Sequence, residues 1–101
     1  MNKKLIINPD EIADFCRRHH IRKLAIFGSA LQDDFGPESD VDVLVDFMAG
    51  HVPGFFGLID IEEELTELFG SHKADVRTPQ DLSRYFRDEV IAKAEVQYVQ
   101  G

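Results

Sequence analysis

Tryptophan is absent and cysteine occurs once, as Cys16. A single thiol excludes an internal disulfide. Its place on one helical face with Ile12, Phe15 and His19 reads as a buried structural thiol rather than a reactive one. Basic residues are scarce: eleven Lys and Arg stand against nineteen Asp and Glu, a formal net charge of -8. Such a surface repels a phosphate backbone, which excludes non-specific binding to DNA or RNA unless a metal or a local basic patch intervenes. No apolar run reaches bilayer-spanning length, and no signal peptide, internal repeat or low-complexity tract is read, so a cytoplasmic location is expected. What is there is ordinary for a globular protein: 101 residues, 44% hydrophobic and 30% charged. That suits a single domain over residues 1–101 with one small core.

Along the chain, "LIINPDEIADFCRRHH" predicts a first helix, with Asn8 or Asp10 at its start, Pro9 in the first turn, acids early and cations late. "IRKLAIF", residues 21 to 27, is a short apolar strand ended by Gly28. After a loop punctuated by Gly36-Pro37, residues 41 to 47 alternate cleanly. Val41, Val43, Val45 and Phe47 fall on one face, and Asp40, Asp42, Leu44 and Asp46 on the other. "FFGLIDIEEELTELFG" carries Leu58, Ile61, Leu65 and Leu68 at helical spacing and stops at Gly70. In it Phe55-Phe56 is expected to pack on the core, a mobile flap being the competing reading, and Glu62-Glu63-Glu64 to lie on the solvated side. "KADVRT", residues 73 to 78, predicts a strand. Thr78-Pro79 then opens a helix with Leu82, Tyr85 and Phe86 facing inward, and a last helix runs near Asp88 to Val99. The resulting fold class is α/β (α+β), a small mixed sheet flanked by helices.

The acids in the second strand raise the question of function. Asp40 and Asp42 are two residues apart, so both carboxylates leave one face with Cα atoms roughly 6.5 Å apart. Like charges so close repel unless a cation lies between them, and hard oxygen donors suit Mg²⁺ or Mn²⁺. Asp75 sits between Ala74 and Val76 in a strand where β-propensity argues against an acid. Were that strand beside the first, three carboxylates could hold two metals about 3.5 to 4 Å apart, an arrangement for phosphoryl or nucleotidyl transfer. Gly28-Ser29 adds a close backbone approach and a hydroxyl for a phosphate. The competing readings are plain. Asp40 and Asp42 could be the solvated face of an edge strand, Asp75 could pair with Lys73 or Arg77, and Ser29 could cap a short segment. The pair His19-His20 reads as a surface feature, and His51 and His72 as turn residues.

Gly28-Ser29, ten intervening residues, then Asp40-Val41-Asp42 resembles the signature of minimal nucleotidyltransferases of the DNA polymerase beta superfamily. "DVRTPQDLSRYFRDEVIAKAEVQYV" is also similar to that family. The resemblance runs from about Ile21 to the C-terminus and is nearest to the antitoxin branch, encoded beside a HEPN-domain ribonuclease toxin. It implies ATP as substrate, two Mg²⁺ ions and transfer of AMP to a tyrosine of the toxin. Carried over by residue, it implies Gly28 and Ser29 on the triphosphate, Asp40 and Asp42 on both metals, and Asp75 on the catalytic metal, with a share in taking the proton from the attacking hydroxyl. One departure stands out: many relatives carry an arginine soon after Gly-Ser, where this chain reads Ala30-Leu31-Gln32-Asp33-Asp34. Arg77, Arg84, Arg87 or the partner could supply that cation. The rival expectation is a catalytically silent module that blocks its toxin by contact, and a small-molecule nucleotidyltransferase is a third.

Overall fold

The computed structural model describes residues 7–28, 40–70 and 72–100. Helix α1, Pro9–Arg18, starts as its sequence prescribes: the Asn8 side chain accepts hydrogen bonds from the backbone N–H groups of Asp10 at 2.9 Å and Glu11 at 3.3 Å, and Pro9 occupies the first turn. Strands β1, Ile21–Phe27, and β2, Val41–Phe47, follow, then helix α2, Phe55–Leu68, and strand β3, Ala74–Arg77. A 3₁₀ turn at Pro79–Asp81 leads to the short helix α3, Arg87–Lys93, and to strand β4, Glu95–Val99. The strands form one mixed sheet in the order β3-β2-β1-β4, with β1 antiparallel to both β2 and β4, and β3 parallel to β2.

One face of the sheet is the core. Leu24 and Ile26 pair with Val45 and Val43, and with Val41, Phe47, Ala74 and Val76 they are buried under Ile12, Phe15 and Cys16 of α1 and Ile61 and Leu65 of α2. The alternation read from residues 41 to 47 is therefore the alternation that buries them. Cys16 is fully enclosed, and burial pushes its thiol up to about 12, which keeps it protonated and inert.

The C-terminal third departs from the expected pair of helices. Thr78 and Asp81 cap each other, the Asp81 carboxylate accepting from the Thr78 N–H at 3.1 Å, so the chain closes into a tight turn. Leu82 then leaves in an extended conformation, with φ -85° and ψ 143°. Arg87 fastens that turn from outside, donating to the carbonyls of Pro79 at 2.7 Å and Leu82 at 3.2 Å. No helix forms over the segment expected to face inward, and Tyr85 and Phe86 are 79% and 61% exposed. The last helix ends at Lys93, because "EVQYV" finds a better partner in the open edge of β1: Val96 pairs with Ala25 and Tyr98 with Leu24. Phe55 and Phe56, expected on the core, stand 73% and 79% exposed with rings edge to face, centroids 5.5 Å apart. They begin α2 before its buried stripe, which starts at Ile61.

The acidic run of α2 is not simply solvated. Glu64 accepts from Arg18 and contacts His19 Nε2 at 2.9 Å, tying α2 to the end of α1. His20 stacks on His51, with centroids 4.0 Å apart. The Arg18 guanidinium, with help from His19, holds the Glu64 carboxyl below the usual carboxylate range despite some desolvation. A carboxyl whose pKa is lowered by folding contributes stability above its ordinary value and loses it as pH falls through the folded one. Glu64→Gln is thus expected to lower the thermal midpoint by a few degrees at pH 7, with the gap from wild type closing below about pH 4. Parallel melts across that range check it; a gap that persists in acid would show that packing, not charge, carries the contact. Among the described residues no helix is long and apolar enough to cross a membrane.

Candidate functional site

The second face of the sheet follows from the same register. Lys23, Ala25 and Phe27 of β1 pair with Asp46, Leu44 and Asp42 of β2, and Asp42 and Leu44 pair with Asp75 and Arg77 of β3. Phe27, Asp42 and Asp75 therefore form one rung across three strands. Neighbouring strands lie about 4.8 Å apart, so two carboxylates start from adjacent positions on one face. The adjacency that a shared carboxylate site requires is present, through the parallel pairing of β2 and β3. Asp40 stands one residue before β2 and two before Asp42, beside the point where Val41 N–H donates to the Lys73 carbonyl at 2.8 Å.

Gly28 closes the end of β1 with φ +77°, a left-handed conformation that side chains rarely adopt. The Asp42 carboxylate packs directly on it: a Cβ at Gly28 would collide with Asp42 Oδ2 and stand 3.2 Å from Cγ. Glycine is thus required twice, by the backbone turn and by the acid beside it. The expected phosphate ligand Ser29 lies outside the described residues, as does the stretch from Ala30 to Asp34.

Strand β3 is held in place by α2. Its outward N–H groups at Ala74 and Val76 donate to Thr66 Oγ1 at 3.0 Å and Glu62 Oε2 at 2.9 Å, which fixes where Asp75 comes to rest. Neither support of β3 was expected from the sequence, and Glu62 belongs to the acidic run expected to be solvated. Asp75 itself accepts from Arg77 Nη2 at 3.1 Å, one of the two pairings, with Lys73 or Arg77, open to it as a surface acid. Both side chains remain partly exposed, at 35% and 50%, so the pair is a loose one. Among the described residues no three His, Cys, Asp or Glu side chains are gathered closely enough to hold a metal ion. The register sets Asp42 beside Asp75, and Asp75 bonds Arg77 on the same face.

Of the arginines named as replacements for the missing cation, Arg77 is therefore on Asp75, Arg87 is bound to two carbonyls, and Arg84 lies 5.4 Å from the centroid of the Tyr85 ring. Arg77 alone of the three is placed on the rung system that carries the acids.

Chemically, the donor set is all carboxylate, which fits a hard divalent cation better than a softer one. The glycine backed by Asp42 fits a phosphate brought close to main chain.

Comparison with known proteins gives the same direction. The family described as "Polymerase beta, Nucleotidyltransferase" matches residues 10–100. The protein adenylyltransferase MntA of Thermococcus cleftensis is 38% identical over 53 residues, which are 52% of this chain and 52% of that one, so the match spans about half of the relative. Among solved structures, a toxin-antitoxin with AMP-PNP superposes with a TM-score of 0.70 at 18% identity, covering 93% of this chain and 75% of that one. A tri-AMPylated Shewanella oneidensis HEPN toxin in complex with its MNT antitoxin gives 0.61 at 16% identity, covering 91% and 70%. At those identities the likeness is one of fold.

Proposed function

The chain belongs to the polymerase beta nucleotidyltransferase family, and from that premise we propose that it is an antitoxin that transfers AMP from ATP to a tyrosine hydroxyl of a HEPN-family ribonuclease, silencing it. The observation that carries the chemistry is the rung of Asp42 and Asp75 on adjacent parallel strands, with Asp42 packed on Gly28. The adenylyl transfer is supported by the name of the MntA relative, and the toxin partner by the complexes that share the fold.

Asp40, Asp42 and Asp75 would hold Mg²⁺. When bound, Mg²⁺ neutralises developing charge on phosphate oxygens and lowers the pKa of a coordinated hydroxyl. The chain's own groups do the rest. Gly28 would admit the triphosphate to the main chain at the end of β1, where Asp42 packs on that glycine, and Asp75 would accept the phenolic proton. The tyrosine oxygen forms the new bond to the α-phosphorus as the bond to pyrophosphate breaks, and the proton passes to the carboxylate. Most of the barrier reduction in such a reaction comes from alignment and charge neutralisation. Arg77 has to leave Asp75 for that carboxylate to serve, and it is then free to meet the triphosphate.

Intact-mass measurement of a HEPN-family ribonuclease co-expressed with this chain, either wild type or Asp40→Asn plus Asp42→Asn, tests the reading. Mass increments of AMP that require both aspartates are expected. A partner left unmodified yet still neutralised and still co-purifying would favour the silent binding module.

A further inference from the structure

Beside the carboxylate rung lies a hollow of about 250 Å³. Its floor is the next rung down, the Ala25–Leu44 pair, two residues from Phe27–Asp42 on the same face. Its walls are Pro79 from the 3₁₀ turn, Ile91 from α3 and Val99 from β4, and its rim carries Arg22 together with Lys23 and Asp46, which form the rung beyond. We propose that this hollow receives the purine base of the donor nucleotide. The inference rests on the transferase reading and extends it to a specificity site.

Three features point to a base. The floor begins two strand residues from Asp42, about 6.6 Å along β2, which is the reach of a ribose between a phosphate and its base. The space is below the range that houses a whole drug-sized ligand, so it takes one flat part and leaves the phosphates on the acidic rung. Its apolar floor and walls suit a ring face, and Ala25, as the small member of the floor, leaves the thickness a ring needs. Lys23 and Asp46 then offer one donor and one acceptor to the ring edge. Asp46 also binds Arg22, but a carboxylate has further acceptor sites. The hollow is assembled from the segments whose course the sequence hid, the turn after β3 and the helix-to-strand switch at Ala94.

Ile91 and Val99 are 38% and 56% exposed, so both can be changed with little effect on folding. In calorimetric titrations with Mg²⁺ present, Ile91→Ser plus Val99→Ser is expected to weaken ATP binding about tenfold while leaving inorganic tripolyphosphate unchanged. In the wild type, the methyl resonances of Leu44 and Ile91 should move with ATP and stay still with tripolyphosphate. If wild type binds ATP in an Asp42-dependent way, yet the double variant binds it equally well and those methyls do not move, the base lies elsewhere and the transferase reading stands. If neither ATP nor tripolyphosphate binds wild type, both readings fall. Methyl shifts that appear only when the protein partner is added would assign the hollow to the partner and overturn the base.

Discussion

Gly28→Ala is expected to reduce AMP transfer by about a hundredfold or more, the penalty of displacing a reacting group by an ångström or so. Two effects combine. A left-handed residue with a side chain costs about 1–2 kcal/mol, and the new methyl group meets the Asp42 carboxylate head on, so either the end of β1 or the acid has to move. Gly70→Ala separates the two, because Gly70 has φ +70° with nothing within 4 Å of a Cβ there. It should show a similar loss of stability with transfer nearly intact. Equal losses of transfer in both variants would mean that the backbone penalty, and not the contact with Asp42, is what matters.

Phe15→Ala is expected to remove about 3–5 kcal/mol, a large part of the 5–15 kcal/mol that holds a domain of this kind together. Phe15 is fully buried between α1 and the sheet, and its ring also meets His19 at 4.7 Å between centroids. Removing it opens a cavity within the cluster that joins α1 to the sheet. Phe56→Ala should instead change stability by less than about 0.5 kcal/mol, since its ring is mostly in solvent. Denaturant midpoints for the two variants check the contrast. A large loss at Phe56 would show that the exposed aromatic pair supports the start of α2 after all.

That contrast marks the limit of what the sequence discloses. The alternation from Val41 to Phe47 names its buried face because a strand has period two, and the caps of α1 are legible because Asn8 and Pro9 act locally. Asp75 could be singled out as misplaced in a strand, but its rung partner depended on β3 running parallel to β2, a long-range choice that no local pattern encodes. The end of the chain misled for the same reason. "DEVIAKAEVQYV" has enough helical character to read as one helix until β1 offers an edge, and then the β-branched half goes to the sheet. Phe55 and Phe56 misled differently: hydrophobic residues suggest burial, but at the start of α2 they lie off the stripe that Leu58, Ile61 and Leu65 turn to the core.

The side-chain bonds from Thr66 and Glu62 to β3 bear on how an acceptor can arrive. The main-chain donors that an incoming extended segment would need along that flank are already engaged by α2. Under the proposed transfer, a partner's tail would not reach Asp75 by adding itself to the sheet as a further strand. It would come down over the open face with its hydroxyl end-on, which favours an acceptor carried on a protruding tip over one lying within a flat extended strip.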